Sequence, residues 1–213
     1  MNIIFLGPPG SGKGTQAKKL SAEANLKHIS TGDLLRAEVA SASELGKKIK
    51  AKIEKGELVP DQMVDNLMEK NIKPVEGYIL DGYPRTIAQA EFIEKHLKNI
   101  KAKMDFVVYF SLTEEEIVSR LCGRRKCGKC GKDTNVAGLT GSEANICKHC
   151  GKSLEKRSDD REDIIRNRIK VYKAQTEPLL QYYKQKGNLI EIDGSQSIDN
   201  TYKALLKAIN FNK

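Results

Sequence analysis

The chain has 213 residues, 39% hydrophobic and 31% charged, which excludes a disordered chain and suits one packed core domain carrying one or two small insertions. No apolar run nears the roughly 18 residues of a membrane helix, and Ile3-Ile4-Phe5-Leu6 ends at Gly7-Pro8-Pro9, too short for a secretory leader, so the chain reads as untargeted and cytoplasmic. The 37 Lys and Arg against 28 Asp and Glu give a net charge of +9, which suits nucleic acid or nucleoside polyphosphates as partners and equally a solvated, lysine-rich surface.

The pattern alternates strand and helix. Residues 2–6 form an apolar strand, 7–14 a glycine-rich turn and 15–24 a helix. A second strand falls at 27–30. Pro60-Asp61 starts a helix that sets Met63, Val64, Leu67 and Met68 on one face. Strands follow at 78–81 and 106–112, and capping-box patterns start helices at Thr86 and Thr113. A long helix covers 161–186, bent near Pro178, before a strand at 188–193 and a helix at 197–209. Apolar strands alternating with helices imply an α/β three-layer sandwich, a five-stranded parallel sheet covered on both faces. Residues 122–158 break the pattern with four paired cysteines, six glycines and few large apolar residues, and read as an inserted module.

Gly7-Pro8-Pro9-Gly10-Ser11-Gly12-Lys13 is G-x-x-x-x-G-K between a strand and a helix, the context a phosphate-binding loop requires. Glycines let backbone amides curl around phosphate oxygens, and the helix N-terminus favours the anion. Lys13 adds a charge towards the outer phosphates. Ser or Thr usually follows that lysine to hold magnesium, but Gly14 stands there and Thr15 comes next. Magnesium is then held by phosphates and waters, with Asp81, at the tip of the 78–81 strand, the candidate to hold those waters.

Cys127-Gly128-Lys129-Cys130 and Cys147-Lys148-His149-Cys150 form C-x2-C-x16-C-x2-C, inside the spacing of four-thiolate zinc sites. His149 competes with Cys150 as fourth ligand, although the two-residue spacing favours Cys150. Cys122 reads as a small buried residue. Arginines crowd both borders of this module, with Arg120, Arg124 and Arg125 before it and Arg157 and Arg168 after it. Arg125, Arg161 and Arg166 read as surface charges. A zinc ribbon on a basic chain also fits a nucleic-acid binder, but the absence of aromatics from 111 to 171 argues against one.

The phosphate-loop motif, continued as Gly14-Thr15, resembles that of adenylate kinases. So do Ser30-Thr31-Gly32-Asp33-Leu34-Leu35-Arg36 and Asp81-Gly82-Tyr83-Pro84-Arg85, where the family usually has Phe in place of Tyr83. The resemblance implies a P-loop fold with a core at 1–29, 60–121 and 159–213, an AMP-binding arm at 30–59 and a lid at 122–158 of the zinc-containing bacterial type. It implies ATP contacts from Gly10, Ser11, Gly12, Lys13, Gly14, Thr15, Arg124, Asp133, Thr134 and Gln196. It implies AMP contacts from Thr31, Arg36, Glu57, Leu58, Val59, Gly82, Tyr83, Pro84, Arg85, Gln89, Arg157 and Arg168. Catalytic charge would come from Lys13, Arg85, Arg120, Arg124, Arg157 and Arg168. Asp159 and Asp160 would tie the closed lid to its arginines. Mg-ATP and AMP would yield two ADP in a monomer without nucleic-acid or membrane partners, with Thr31 and Gln89 favouring AMP over UMP or CMP.

Overall fold

The computed structural model describes residues 1–73, 77–139 and 144–211. β1 (Asn2–Leu6) leads through the glycine turn into α1 (Lys13–Ala24) and β2 (Lys27–Ser30). Helices α2 (Thr31–Ala40), α3 (Glu44–Ile53) and α4 (Asp61–Asn71) follow, then β3 (Tyr78–Asp81), α5 (Ile87–Asn99) and β4 (Phe106–Ser111). After α6 (Glu114–Cys122) come short strands β5 (Arg124–Cys127), β6 (Asp133–Asn135) and β7 (Leu154–Glu155). A 3-10 turn at Ser158–Asp160 precedes α7 (Glu162–Val171), and a π turn at Tyr172–Thr176 joins it to α8 (Pro178–Gln185). β8 (Leu189–Asp193) and α9 (Ile198–Ala208) follow.

The large sheet is parallel throughout, in the order β2-β3-β1-β4-β8. All five residues of β1 are buried, as a strand covered on both faces must be. Its side chains divide by the strand's period of two. Ile4 and Leu6 enter a core with α4, α5 and α8, whereas Ile3 and Phe5 enter a second core with α1 and α9. Phe5 meets Phe110 edge-on, ring centres 5.0 Å apart. β1 is followed by a helix on one face and its neighbour β3 by a helix on the other. That reversal opens a crevice at the strands' carboxyl ends, where α/β sheets bind ligands.

From residues 30–59, Leu35, Ile49 and Val59 join the first core. β6-β5-β7 form a separate antiparallel sheet inside the expected 122–158 insertion, of which 140–143 lie outside the described residues. Three expectations need correction. The 161–186 helix is divided into α7 and α8 by its π turn, which ends at Thr176, two residues ahead of Pro178. Thr113 closes a complete capping box with Glu116, but at Thr86 the box stays open because the Gln89 side chain bonds elsewhere. Cys122 is half-buried, at the edge of a small cluster between α6 and α7.

Candidate active site

The phosphate loop joins β1 to α1. Gly12, at φ +87°, caps α1 in a backbone conformation that side-chain-bearing residues avoid. No side chain caps this helix and no acidic residue sits in its first turn, so its leading amides have no internal competitor for an anion. The Lys13 ammonium bonds to the loop's own acceptors, Gly7 O at 2.7 Å, Pro8 O at 2.8 Å and Ser11 Oγ at 3.2 Å. Burial pulls the Lys13 pKa down to about 8; Asp81 opposes this, while Arg85, Arg168 and Arg124 push the same way. The structure also gives Gly14 a reason. A Cβ there would stand 3.1 Å from Asp81 Oδ2, so the usual Ser or Thr would crowd the carboxylate. Asp81 is itself held by His28 Nε2 at 3.2 Å.

A cleft of about 710 Å³ runs from this loop beneath the small sheet. Gly10, Gly12, Lys13, Gly14 and Thr15 line one end, and Arg120, Arg124, Asp133, Thr134 and Gln196 line the roof and outer wall. Arg36, Gly82, Pro84, Arg85, Arg157 and Arg168 line the other side. A smaller pocket of about 90 Å³ lies on that side among Thr31, Glu57, Leu58, Val59 and Gln89, and Arg36, Gly82, Arg85 and Arg168 border both. Two expected site residues turn away. Ser11 is buried within the loop, and the Tyr83 side chain points into the core, where its hydroxyl donates to Asp65 at 2.6 Å. Only their backbones remain to serve a ligand. Thr31 Oγ1 donates to Gly82 O at 2.7 Å and Asp81 O at 3.1 Å, tying the start of α2 to the end of β3 and the turn after it.

The guanidinium groups are anchored. Arg124 grips the wholly buried Asp160 through Nε at 2.7 Å and Nη2 at 2.5 Å. Arg168 bonds Asp159 at 2.9 Å and Asp160 at 3.2 Å. Arg157 holds both Asp133 oxygens, at 2.7 and 2.8 Å, and Arg120 donates to Ser195 O at 3.0 Å. Arg85 Nε bonds Gly82 O at 2.9 Å, and Arg36 bonds Asp33 at 2.7 Å. Burial, reinforced by Arg168, pulls Arg85 down to about 10. Burial alone would raise the Asp159 carboxyl, but Arg168, Arg124, Arg36 and Arg157 outweigh it and hold it below the usual range. Such an array stores positive potential in a low-dielectric cleft and prepares it for a polyanion. Arg161 and Arg166 sit on the surface, paired with Asp163 and Glu162. Arg125 departs from the surface reading: it is half-buried, with Nη1 on the Cys122 and Arg124 carbonyls.

At the far end of the small sheet, the Sγ atoms of Cys127, Cys130, Cys147 and Cys150 all lie within 4.8 Å of one another. Cys127 and Cys150 are 3.4 Å apart, and Cys130 and Cys147 are 3.7 Å apart. Thiolates about 2.3 Å from a tetrahedral zinc stand roughly 3.8 Å from each other, so these residues fit that ion. The Cys130 backbone N–H, helped by the Cys150 thiol, draws the Cys127 thiol down to about 6 against burial, towards the thiolate a metal needs. His149 is exposed beside Lys132 and stands outside the group, which leaves Cys150 as the fourth member.

The family model for adenylate kinase matches residues 5–188. An adenylate kinase of Petrotoga mobilis is 44% identical over 214 residues, 100% of both chains. One from Archaeoglobus fulgidus is 46% identical over 96% of each chain, and one from Thermotoga petrophila is 45% identical over 98% of this chain and 97% of its own. The chain belongs to the adenylate kinase family.

Several parts of this adenylate kinase family member have no signal in the sequence. Asp61, read only as the start of α4, binds Thr86 Oγ1 at 2.7 Å and Gln89 Nε2 at 2.8 Å. Lys132, Tyr172 and Thr176 line the cleft, the last two from the π turn. No local pattern marks them; they reach the cleft only through folding. The hydroxyl that distinguishes Tyr83 from the family's usual Phe has its partner in Asp65, on the helix opposite. Among the described residues, no helix is long and apolar enough to cross a membrane.

Proposed function

We propose that this chain transfers the γ-phosphoryl group of Mg-ATP to AMP, reversibly, giving two ADP. The observation that carries the reading is the adjoining of two pockets, one ending on the amides of α1 and Lys13, the other on Gln89, with Arg85 and Arg168 bordering both. Membership of the family supports the reaction itself.

ATP lies along Gly10, Ser11, Gly12, Lys13, Gly14 and Thr15, with Arg124, Asp133, Thr134 and Gln196 above it. AMP lies among Thr31, Arg36, the 57–59 backbone, Gly82 to Arg85 and Gln89, with Arg157 and Arg168 over its phosphate. An AMP phosphate oxygen, already anionic, attacks the γ-phosphorus in line, so neither a general base nor a covalent intermediate is needed. Lys13, Arg85, Arg120, Arg124, Arg157 and Arg168 spread positive charge around the moving group, and one such arginine contributes about 10³–10⁵ in rate. The 30–59 arm and the 122–158 lid close over the pair and keep water from becoming the acceptor. Magnesium, when bound, would neutralise phosphate charge, and Asp81, whose carboxylate lies beside Gly14, is the residue we assign to hold its waters. Zinc on the four thiolates holds the lid together and does no chemistry.

Reduced thiols of this kind suit a cytoplasmic setting. One chain lines both pockets, which suits a monomer needing neither nucleic acid nor membrane. A coupled assay of ADP formation with Mg-ATP across AMP, UMP, CMP and GMP tests the reading. AMP is expected to be the preferred acceptor, and preference for UMP or CMP would overturn it.

A further inference from the structure

A side-chain amide reads a base edge with two different ends, oxygen accepting and nitrogen donating, and a half-turn about its last torsion exchanges them. Adenine offers a donor at its 6-amino group and an acceptor at N1. A 6-oxopurine offers the reverse, an acceptor at O6 and a donor at N1. An amide free to turn over therefore serves both bases, and an amide locked in one orientation serves one.

The Gln89 amide is locked. It is 2% exposed, in the wall of the smaller pocket. Its Oε1 accepts the Arg85 backbone N–H at 2.7 Å, and its Nε2 donates to Asp61 Oδ1 at 2.8 Å. A backbone N–H can only donate, so the oxygen end is assigned by chemistry. Asp61 is fixed in turn: its Oδ2 accepts from Thr86 Oγ1 at 2.7 Å, and Thr86 Oγ1 accepts the Gln89 backbone N–H at 3.2 Å. Each bond in this ring has a defined direction. After both tethers are counted, Gln89 keeps one Oε1 lone pair and one Nε2 hydrogen. Seated with its 6-amino group on Oε1 and its N1 on Nε2, adenine satisfies that remainder, whereas a 6-oxopurine in the same seat sets O6 against Oε1 and N1–H against Nε2.

We infer that Asp61 is a positioning residue for base selection: by holding Gln89 Nε2 it fixes the polarity of the amide and so discriminates AMP from 6-oxopurine monophosphates. The inference rests on the reading of the smaller pocket as the AMP site. It also accounts for the open capping box at Thr86, since the Gln89 side chain that would have closed the box is committed to Asp61 and Arg85 instead.

The test compares kcat/KM for AMP with that for inosine monophosphate, with Mg-ATP as donor. Asp61→Leu, similar in size and unable to accept a hydrogen bond, should lower the AMP preference about tenfold or more, because a mispaired polar group in a buried site costs at least that much. The loss should appear in KM for AMP, with KM for ATP unchanged. Asp61→Asn, whose Oδ1 can still accept from Nε2, should restore most of the preference. Thr86→Val, which removes the bond to Oδ2 and the cap bond to the Gln89 backbone N–H but leaves the tether from Nε2 to Oδ1, should leave it near the wild-type value. An unchanged preference in Asp61→Leu overturns the inference, as does an equal loss in Thr86→Val. Should Asp61→Leu fail to fold, nitrogen-15 NMR of the wild-type protein decides: one Gln89 Nε2 proton shifted downfield and protected from solvent exchange supports the lock, and exchange of both Nε2 protons at the rate of a free glutamine amide overturns it. Wild-type protein that does not phosphorylate AMP refutes the functional reading instead, a separate outcome.

Discussion

Around β1 the buried side chains are hydrocarbon on both faces: Ile4 and Leu6 pack towards α5 and α8, Ile3 and Phe5 towards α1 and α9. In the small sheet the buried cluster is Cys127, Val136, Cys147 and Leu154, with Leu139, Ala144 and the other two paired cysteines half-covered around it. The first region has enough apolar surface to fold by burial, at roughly 25 cal/mol per Å². The second has two aliphatic residues and two thiols at its centre, too little to offset the chain entropy of ordering that many residues. The contrast extends to function. The large sheet presents the phosphate loop on its strands, while the small sheet presents Arg124 and Asp133 on a platform with the four clustered thiols at its far end.

The largest effect expected from this contrast is on the small sheet. Metal binding to such sites supplies on the order of 10 kcal/mol of folding free energy. Chelation should abolish amide protection across β5 to β7 in hydrogen exchange while the large sheet keeps its own. Simultaneous loss in both regions would show them to be one folding unit.

Lys13 sharpens the contrast from the other side, since burial makes it costly to the fold and the role proposed for its charge is to hold phosphate. Lys13→Met should lower kcat by about 10³, roughly 4 kcal/mol in barrier, without lowering the melting temperature. A parallel fall in both would mean that Lys13 is structural.

Tyr83 tests the first core. Tyr83→Phe restores the residue usual in the family but leaves the buried Asp65 carboxyl without its 2.6 Å donor, at a cost of about 1–3 kcal/mol by denaturant unfolding. Adding Asp65→Leu should recover most of it. An unchanged stability in Tyr83→Phe would mean that water replaces the hydroxyl.

The smallest effect is one of pH. Lys13 titrates near 8 in the free protein, and a bound triphosphate must raise that value. Binding therefore takes up a proton above pH 8 and none below it. Affinity for a non-hydrolysable ATP analogue should be flat below pH 8 and weaken by up to about tenfold per unit above it, about 1.4 kcal/mol. Flat affinity to pH 9.5 would remove Lys13 from the phosphates.

The contrast also explains what was legible in the sequence. Each strand of the large sheet is a short apolar run bounded by turn residues, and the phosphate loop and cysteine pairs carry their chemistry in consecutive residues. Asp61 and Gln89 could not be read as partners, because 28 positions separate them and both fit local patterns, a helix start and a capping box. The Tyr83–Asp65 bond was hidden the same way. The π turn shows in no periodicity, since Tyr172 to Thr176 keep helical spacing nearly intact. Arg125 looked like surface because its partners are backbone carbonyls, to which sequence is blind.

The central physical claim is that loop amides and Lys13 wrap the terminal phosphates of one nucleotide and face them to a second. A crystal structure with two adenosines joined through five phosphates tests it most directly. Phosphates in the 7–15 turn, with the far adenine against Gln89, are the expected result. A turn free of phosphate, with the ligand bound elsewhere on the molecule, would contradict it.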